Sequence, residues 1–236
     1  MSVAIVGAGP GDSGLVTVRA LELVERCEVL VYDRLVAAEL VLKATGALRI
    51  PRDGLTQQEV NELLVHHGSE GRAVVRLKGG DPFIFGRGAE EVEALRAAGI
   101  EVEVVPGLST LTAVPGLAGI PLTVRGVASQ LTVLTGTSGD GEKLDYERLA
   151  ATPGTLMIFM GLARLETIAE ELILAGRPGD EPAAVISRVS LPGAERRIGT
   201  LATIASLASG LETPAVIVIG EVVAHATRLA AIPELV

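Results

Sequence analysis

The chain has 236 residues, long for one ordinary domain and sufficient for two small ones, and 48% of them are hydrophobic. Aromatics are only 2%, so Val, Leu, Ile and Ala have to build the core. The net charge of −9 opposes binding to nucleic acid, whose phosphates need a basic footprint, and the single Cys27 excludes an internal disulfide and suits a reducing compartment.

The first half alternates short apolar runs with amphipathic stretches. Strands are predicted at Val3–Val6, Glu28–Tyr32, Leu48–Ile50, Ala73–Leu77 and Glu101–Val105. Helices are predicted at Ser13–Arg26, Val36–Ala44, Gln57–Glu70 and Gly88–Ala98, with apolar residues such as Val60, Leu63 and Leu64 at helical spacing. This alternation implies a parallel sheet with helices on both faces and a ligand outside the carboxyl ends of the strands. Val3–Val6 is too short for a signal peptide and no basic segment precedes it, so a cytoplasmic protein is expected. The stretch from Val104 to Val124 carries no charge and is long enough to suggest a membrane span. Pro106, Pro115 and Pro121, with Gly107, Gly116 and Gly119, predict instead a strand end, a turn, a short helix and a linker. No membrane contact is expected.

In the second half, Gln130–Thr135, Thr155–Met160, Ala183–Ser187, Arg196–Thr200 and Ala215–Gly220 read as strands. Leu162–Ala175 reads as a helix with Leu162, Leu165, Ile168, Leu172 and Ile173 on one face. Leu191-Pro192-Gly193-Ala194 reads as a hairpin connection. The expectation is an α/β fold of two domains: 1–122 around a parallel sheet, and 123–236 of mixed α/β type. The link falls near Gly119 to Ala128, and the ligand site is expected in the cleft between the domains.

Residues 76–91, RLKGGDPFIFGRGAEE, are the most informative stretch. Gly79-Gly80 at a strand's carboxyl end permits positive φ and close approach of a ligand to bare backbone. Asp81 before Pro82 is kept out of the helical region, which fixes the exit of the turn. Gly7-Ala8-Gly9-Pro10-Gly11-Asp12, with Asp33 about twenty residues on, invites a dinucleotide reading. That reading fails in detail: Asp12 stands where a third glycine is due and would repel phosphate, and Pro10 removes an amide donor. A ligand without phosphate fits this loop better. Asp33 ends a strand at the sheet's carboxyl edge, where a turn aspartate and a functional carboxylate are both reasonable. His66, His67 and His225 read as surface residues with no metal-site spacing, so no metal is expected.

RLKGGDPFIFGRG resembles the signature of uroporphyrinogen-III C-methyltransferases within the tetrapyrrole methylase family. So do VGAGPGDSGLVTVRA (Val6 to Ala20), VYDRLV (Val31 to Val36), VVPGLSTLTAVPGLAGIPLTVRGVAS (Val104 to Ser129), TLMIFMGL (Thr155 to Leu162) and TPAVIVIGEVV (Thr213 to Val223), in the family's order. The resemblance implies the tetrapyrrole methylase fold and S-adenosyl-L-methionine as cofactor. It implies methylation of uroporphyrinogen III at C2 and C7, giving precorrin-2 through precorrin-1. It assigns Asp33 as proton acceptor and places S-adenosylmethionine contacts at Pro10, Gly79, Gly80, Asp81, Ile84, Ser109, Thr110, Met160, Val189 and Ala215. The family precedent is a homodimer. One departure is the family's Gly-Lys-Arg segment, whose proposed proton-donor lysine is missing: Pro51 or Arg52 falls nearest. Arginine cannot replace it as a general acid near neutral pH.

A macrocycle ringed with carboxylates needs local cations on a chain of this charge. Arg34, Arg87 and Arg125 each adjoin a motif expected at the cleft and are the candidates. Alternatives are a sibling methyltransferase acting later in corrin synthesis, a dinucleotide oxidoreductase, and a non-catalytic binding module; an RNA methyltransferase is opposed by the charge. With no fused dehydrogenase or ferrochelatase in these 236 residues, those steps are expected of other chains.

Overall fold

The structure is a computed structural model that describes residues 3–137 and 144–226. It divides into two compact units, Met1–Thr110 and Leu111–Val236.

The first unit carries β1 (Val3–Gly7), α1 (Val18–Arg26), β2 (Val29–Tyr32), α2 (Ala38–Lys43), β3 (Leu48–Pro51), α3 (Gln57–Ser69), β4 (Val74–Lys78), α4 (Gly88–Ala97) and β5 (Val102–Val105). The strands form an all-parallel sheet in the order β3-β2-β4-β1-β5. Right-handed crossovers decide where the helices go. The chain moves one way along the sheet from β1 to β3, so α1 and α2 share a face, packing with Val24, Leu30, Leu40 and Leu77. It then returns through β4 to β5, so α3 and α4 cover the opposite face with Ile5, Val31, Val60, Leu64 and Leu95. Burial on both faces explains the near-continuous apolar strands. It also means that the chain leaving β4 runs on to a helix on the opposite face from the helices that follow its neighbours β1 and β2. The carboxyl ends of the strands around such a change of direction are the usual ligand position in these sheets.

The second unit carries β6 (Leu131–Thr135), α6 (Tyr146–Ala151), β7 (Thr155–Phe159), α7 (Leu165–Leu174), β8 (Pro182–Ser187), β9 (Glu195–Thr200), α8 (Ile204–Leu207), β10 (Ala215–Ile219) and α9 (Val223–Ala226), with α5 (Thr110–Leu117) at its start. Its sheet runs β6-β7-β10-β8-β9, with only β6 and β7 parallel. β8 and β9 pair as the antiparallel hairpin expected around Pro192-Gly193.

Arg177 ties this unit together. Its buried guanidinium uses all five donors: two on the Glu181 carboxylate at 2.5 and 2.8 Å, and three on the carbonyls of Leu149, Thr152 and Gly154. Arg177→Met strands that carboxylate and three carbonyls, a loss of about 3–5 kcal/mol by analogy with broken buried pairs. The expected result in a thermal melt followed by circular dichroism is a midpoint lowered by roughly 10 °C.

Several local expectations are corrected. The helix expected over Ser13–Arg26 is a 3-10 turn, Ser13–Leu15, followed by α1, because Asp12 and Thr17 each cap a separate start. Ile173 is exposed, one residue past the buried Leu172 and about 100° round the helix from it. His67 is buried, not superficial, because it continues the Val60–Leu64 stripe of α3 at helical spacing. The short helices α6, α8 and α9 are too brief to show periodicity in sequence. Among the described residues, no helix is long and apolar enough to cross a membrane.

Candidate active site

Three glycine-bearing loops lock together at the carboxyl edge of the first sheet. Gly9 and Gly80 exchange backbone hydrogen bonds, Gly80 N–H to Gly9 O at 2.7 Å and Gly9 N–H to Gly80 O at 3.2 Å. Gly107, after β5, lies against both neighbours: a Cβ on it would stand 2.2 Å from Gly80 O and 2.7 Å from Gly7 Cα. A Cβ on Gly7 would likewise meet Gly107 Cα at 2.5 Å. The Asp81 carboxylate fastens the same joint, accepting from Phe83 N–H at 2.9 Å and Gly107 N–H at 3.2 Å. Glycine is needed here so that backbone can touch backbone. Gly79 differs: its added Cβ would meet only Leu35 Cβ, at 3.8 Å, so there is open room beside its Cα.

Asp33 follows β2 directly, and its side chain is about a quarter exposed, at 25%. Its carboxylate is held by Arg76 of β4, Nη2 to Oδ1 at 2.5 Å, and more loosely by Gly79 N–H at 3.4 Å. Arg76 is fully buried and donates Nε to Glu91 Oε1 of α4 at 3.0 Å and Nη1 to the Leu77 carbonyl at 3.1 Å. The same Glu91 oxygen accepts from Lys78 Nζ at 2.9 Å and from Gln57 at 3.3 Å, while its Oε2 has no partner among the described residues. The period of two along β4 puts Arg76 and Lys78 on one face, toward α4. Burial pushes the Lys78 ammonium below its usual range and the Arg76 cation adds to this, opposed by Glu91 and Asp33. Two cations and two carboxylates balance along this chain, and only the Asp33 end reaches solvent.

The apolar residues on the loops of this edge are unusually open. Leu35 after β2, Phe83, Ile84 and Phe85 after β4, and Leu108 after β5 are all exposed, Phe83 by 56%. Two of the chain's three Phe therefore stand at this edge, a feature more typical of a binding face than of plain surface. Phe85 and Arg87 hold positive φ, 52° and 58°, rare for such side chains.

Of the sequence-predicted residues, Asp33, Arg34, Pro10, Gly79, Gly80, Asp81, Ile84 and Ser109 lie on loops at this edge of the first unit, and Thr110 begins α5. Arg34 is exposed; Arg87 is exposed and grips Glu90 through two bonds of 2.8 and 2.7 Å. In the second unit, Met160 follows β7 with φ 51° and is half exposed, Val189 is buried after β8, and Ala215 begins β10. Arg125 is exposed at the tip of a tight loop closed by Val124 and Ala128. Arg52, nearest the missing lysine, donates its guanidinium to the Leu55 carbonyl at 3.2 Å and braces its own loop.

Arg76, Lys78 and Glu91 are the residues that the sequence reading passed over. A cation inside a strand with neighbours on both sides was the available signal, because such positions are almost never charged without a partner. At the far end of α3, donor atoms of His66, His67 and Glu70 lie within 4.8 Å of one another. Arg72 sits 3.0 Å from the same Glu70 carboxylate, so ion pairing already occupies it.

The profile of the family described as Tetrapyrrole (Corrin/Porphyrin) Methylases matches residues 2–205. Siroheme synthase 2 of Aeromonas hydrophila subsp. hydrophila is 45% identical over 97% of this chain and 50% of its own length. Siroheme synthase of Sodalis glossinidius is 45% identical over 94% of this chain and 49% of its own. The chain spans about half the length of the curated relatives it matches. Among solved structures, a uroporphyrin-III C-methyl transferase from Thermus thermophilus, complexed with S-adenyl homocysteine, has a TM-score of 0.84 at 38% identity, over 95% of this chain and 99% of that one. A cobalt precorrin-4 methyltransferase scores 0.87 at 26% identity, over 94% and 95%. With a glycine-built edge, a solvent-facing aspartate and a profile match along most of its length, the chain belongs to the tetrapyrrole (corrin/porphyrin) methylases.

Proposed function

We propose that this chain methylates uroporphyrinogen III with S-adenosylmethionine at two ring carbons, C2 and C7, to give precorrin-2 through precorrin-1. The observation that carries this reading is Asp33, the one solvent-facing carboxylate of a buried ion chain, beside a complete GGDPFIFGRG loop. The open Cα of Gly79 leaves room for a ligand to lie on bare backbone, which fits an uncharged adenosine better than a phosphate.

S-adenosylmethionine supplies the electrophilic methyl group: the ring carbon's electron pair forms the new C–C bond, the S–CH3 bond breaks, and S-adenosylhomocysteine leaves. The chain contributes position and a proton acceptor. Asp33 takes the proton that the methylated macrocycle loses and returns it to solvent. Pro10, Gly79, Gly80, Ile84, Ser109 and Thr110 of the first unit, with Met160, Val189 and Ala215 of the second, are assigned to the cofactor. Asp81 is assigned through its backbone, since its carboxylate is engaged by two amides. Exposed Leu35, Phe83 and Ile84 offer an apolar rest for the macrocycle.

Arg34, Arg87 and Arg125 are assigned to the substrate carboxylates. Arginine grips carboxylate in a planar, bidentate way, and Arg87 already shows that grip on Glu90. Alanine at Arg34, Arg87 or Arg125 is expected to raise KM for uroporphyrinogen III by about three- to tenfold with kcat unchanged, as loss of an exposed charged contact implies. Steady-state assays at several substrate concentrations check this, and an unchanged KM in all three single variants removes the assignment. A cytoplasmic homodimer is the assembly proposed.

The deciding experiment incubates the chain with enzymatically made uroporphyrinogen III and labelled S-adenosylmethionine and counts methyl groups per macrocycle. Two are expected. None, together with transfer to a later precorrin, would favour a corrin methyltransferase of the kind with the TM-score of 0.87. In the same preparation, titration calorimetry is expected to show S-adenosylhomocysteine binding and no NAD binding.

A further inference from the structure

We propose that Arg76 is a positioning residue that fixes the Asp33 carboxylate for proton removal, with Glu91 as its rear anchor. The inference rests on the reading of Asp33 as the proton acceptor. Arg76 is fully buried in β4, flanked by β2 and β1, where an aliphatic side chain would serve the sheet as well. Replacing buried ion pairs by apolar residues is often neutral or stabilising, so a guanidinium here calls for a use beyond stability. Its planar fork is pinned at the back by the Glu91 carboxylate at 3.0 Å and at the side by the Leu77 carbonyl at 3.1 Å. The remaining edge points at Asp33, 2.5 Å away. Lys78 shares the Glu91 oxygen at 2.9 Å and completes the charge balance, so Arg76 is not drawn off toward an uncompensated acid.

Asp33 needs this support because its own loop gives it little. Besides Arg76, its carboxylate meets the Gly79 N–H at 3.4 Å, on the loop assigned to the cofactor. Without Arg76, the aspartate is free to rotate, and its oxygens leave the position from which they meet the macrocycle. A misplacement of about 1 Å can cost about 100-fold in rate.

The test uses Arg76→Lys and Arg76→Met, each in the natural chain and in Asp33→Asn, with kcat measured at saturating uroporphyrinogen III and S-adenosylhomocysteine affinity measured by calorimetry. Arg76→Lys keeps a cation beside Glu91 but loses the two-sided fork, and is expected to lower kcat by about tenfold; Arg76→Met by about 100-fold. In the Asp33→Asn background both losses should shrink to within about threefold, because residues acting as a unit are not additive. Cofactor affinity should stay within about threefold throughout. Should Arg76→Met fail to fold, Arg76→Lys carries the comparison alone. Equal fold-losses in both backgrounds, or wild-type kcat in Arg76→Lys, would overturn the positioning role while leaving Asp33 as acceptor. Wild-type turnover in Asp33→Asn itself would instead bring down the acceptor reading, and this inference with it.

Discussion

Asp33→Asn is expected to lower turnover by about 10²–10⁴-fold, the usual effect of removing a general base, while S-adenosylhomocysteine affinity hardly changes. The isosteric amide keeps the shape of the site and can still meet Arg76, but it cannot take a proton. The split between turnover and cofactor binding is what identifies the role. A turn aspartate would act through loop stability, and its loss would disturb both quantities, because Gly79 N–H leans on the same carboxylate. Turnover at the wild-type rate with saturating substrate returns Asp33 to that lesser role.

Gly79→Val is expected to lower S-adenosylhomocysteine affinity by about ten- to a hundredfold, the equivalent of about 1–3 kcal/mol of overpacking against a ligand. The fold itself should tolerate it: an added Cβ meets only Leu35 at 3.8 Å, and φ at this residue lies outside the left-handed range. Gly80 gives no such clean test. Its φ of 65° excludes a β-branched side chain, and its Cβ would press on Thr110 Oγ1 at 3.2 Å. Gly80→Val therefore combines backbone strain with any ligand clash, and loss of binding there says little about contact. Calorimetry with a thermal melt on both variants separates the two. If Gly79→Val binds S-adenosylhomocysteine as the parent does, the ligand does not lie against that backbone.

The sequence disclosed the strands well for a physical reason. In sheets covered on both faces, runs such as Val3–Val6 in the parallel sheet and Ala183–Ile186 in the mixed one are buried along their length and apolar throughout. It also disclosed the loops at the carboxyl edge, because Gly79-Gly80-Asp81-Pro82 can only be a turn. What it concealed was partnership. Glu91 sits among Glu90 and Glu93 on one acidic helix, and no local pattern says that only Glu91 faces β4 and is buried, while Glu90 faces Arg87 in solvent. Asp81 was expected at the site from the sequence, yet nothing there announced that the amides occupying its carboxylate belong to Phe83 and to Gly107, the latter on another loop altogether. His67 was misjudged because its chemistry suggested surface, whereas its place on the α3 stripe decided burial. Periodicity reads a residue's own helix; it is silent on what the neighbouring element brings.

The joint of Gly7, Gly80 and Gly107 has a consequence for anyone mapping this enzyme by saturation mutagenesis. Gly7 and Gly107 offer no side chain to any ligand, yet a Cβ at either stands 2.5 Å and 2.2 Å, respectively, from the nearest main-chain atom of another loop. An activity screen will therefore score them as intolerant as Asp33. Intolerance at this edge marks two different things, reagents and hinges of masonry. Only a binding or melting readout taken beside the activity score will sort one from the other.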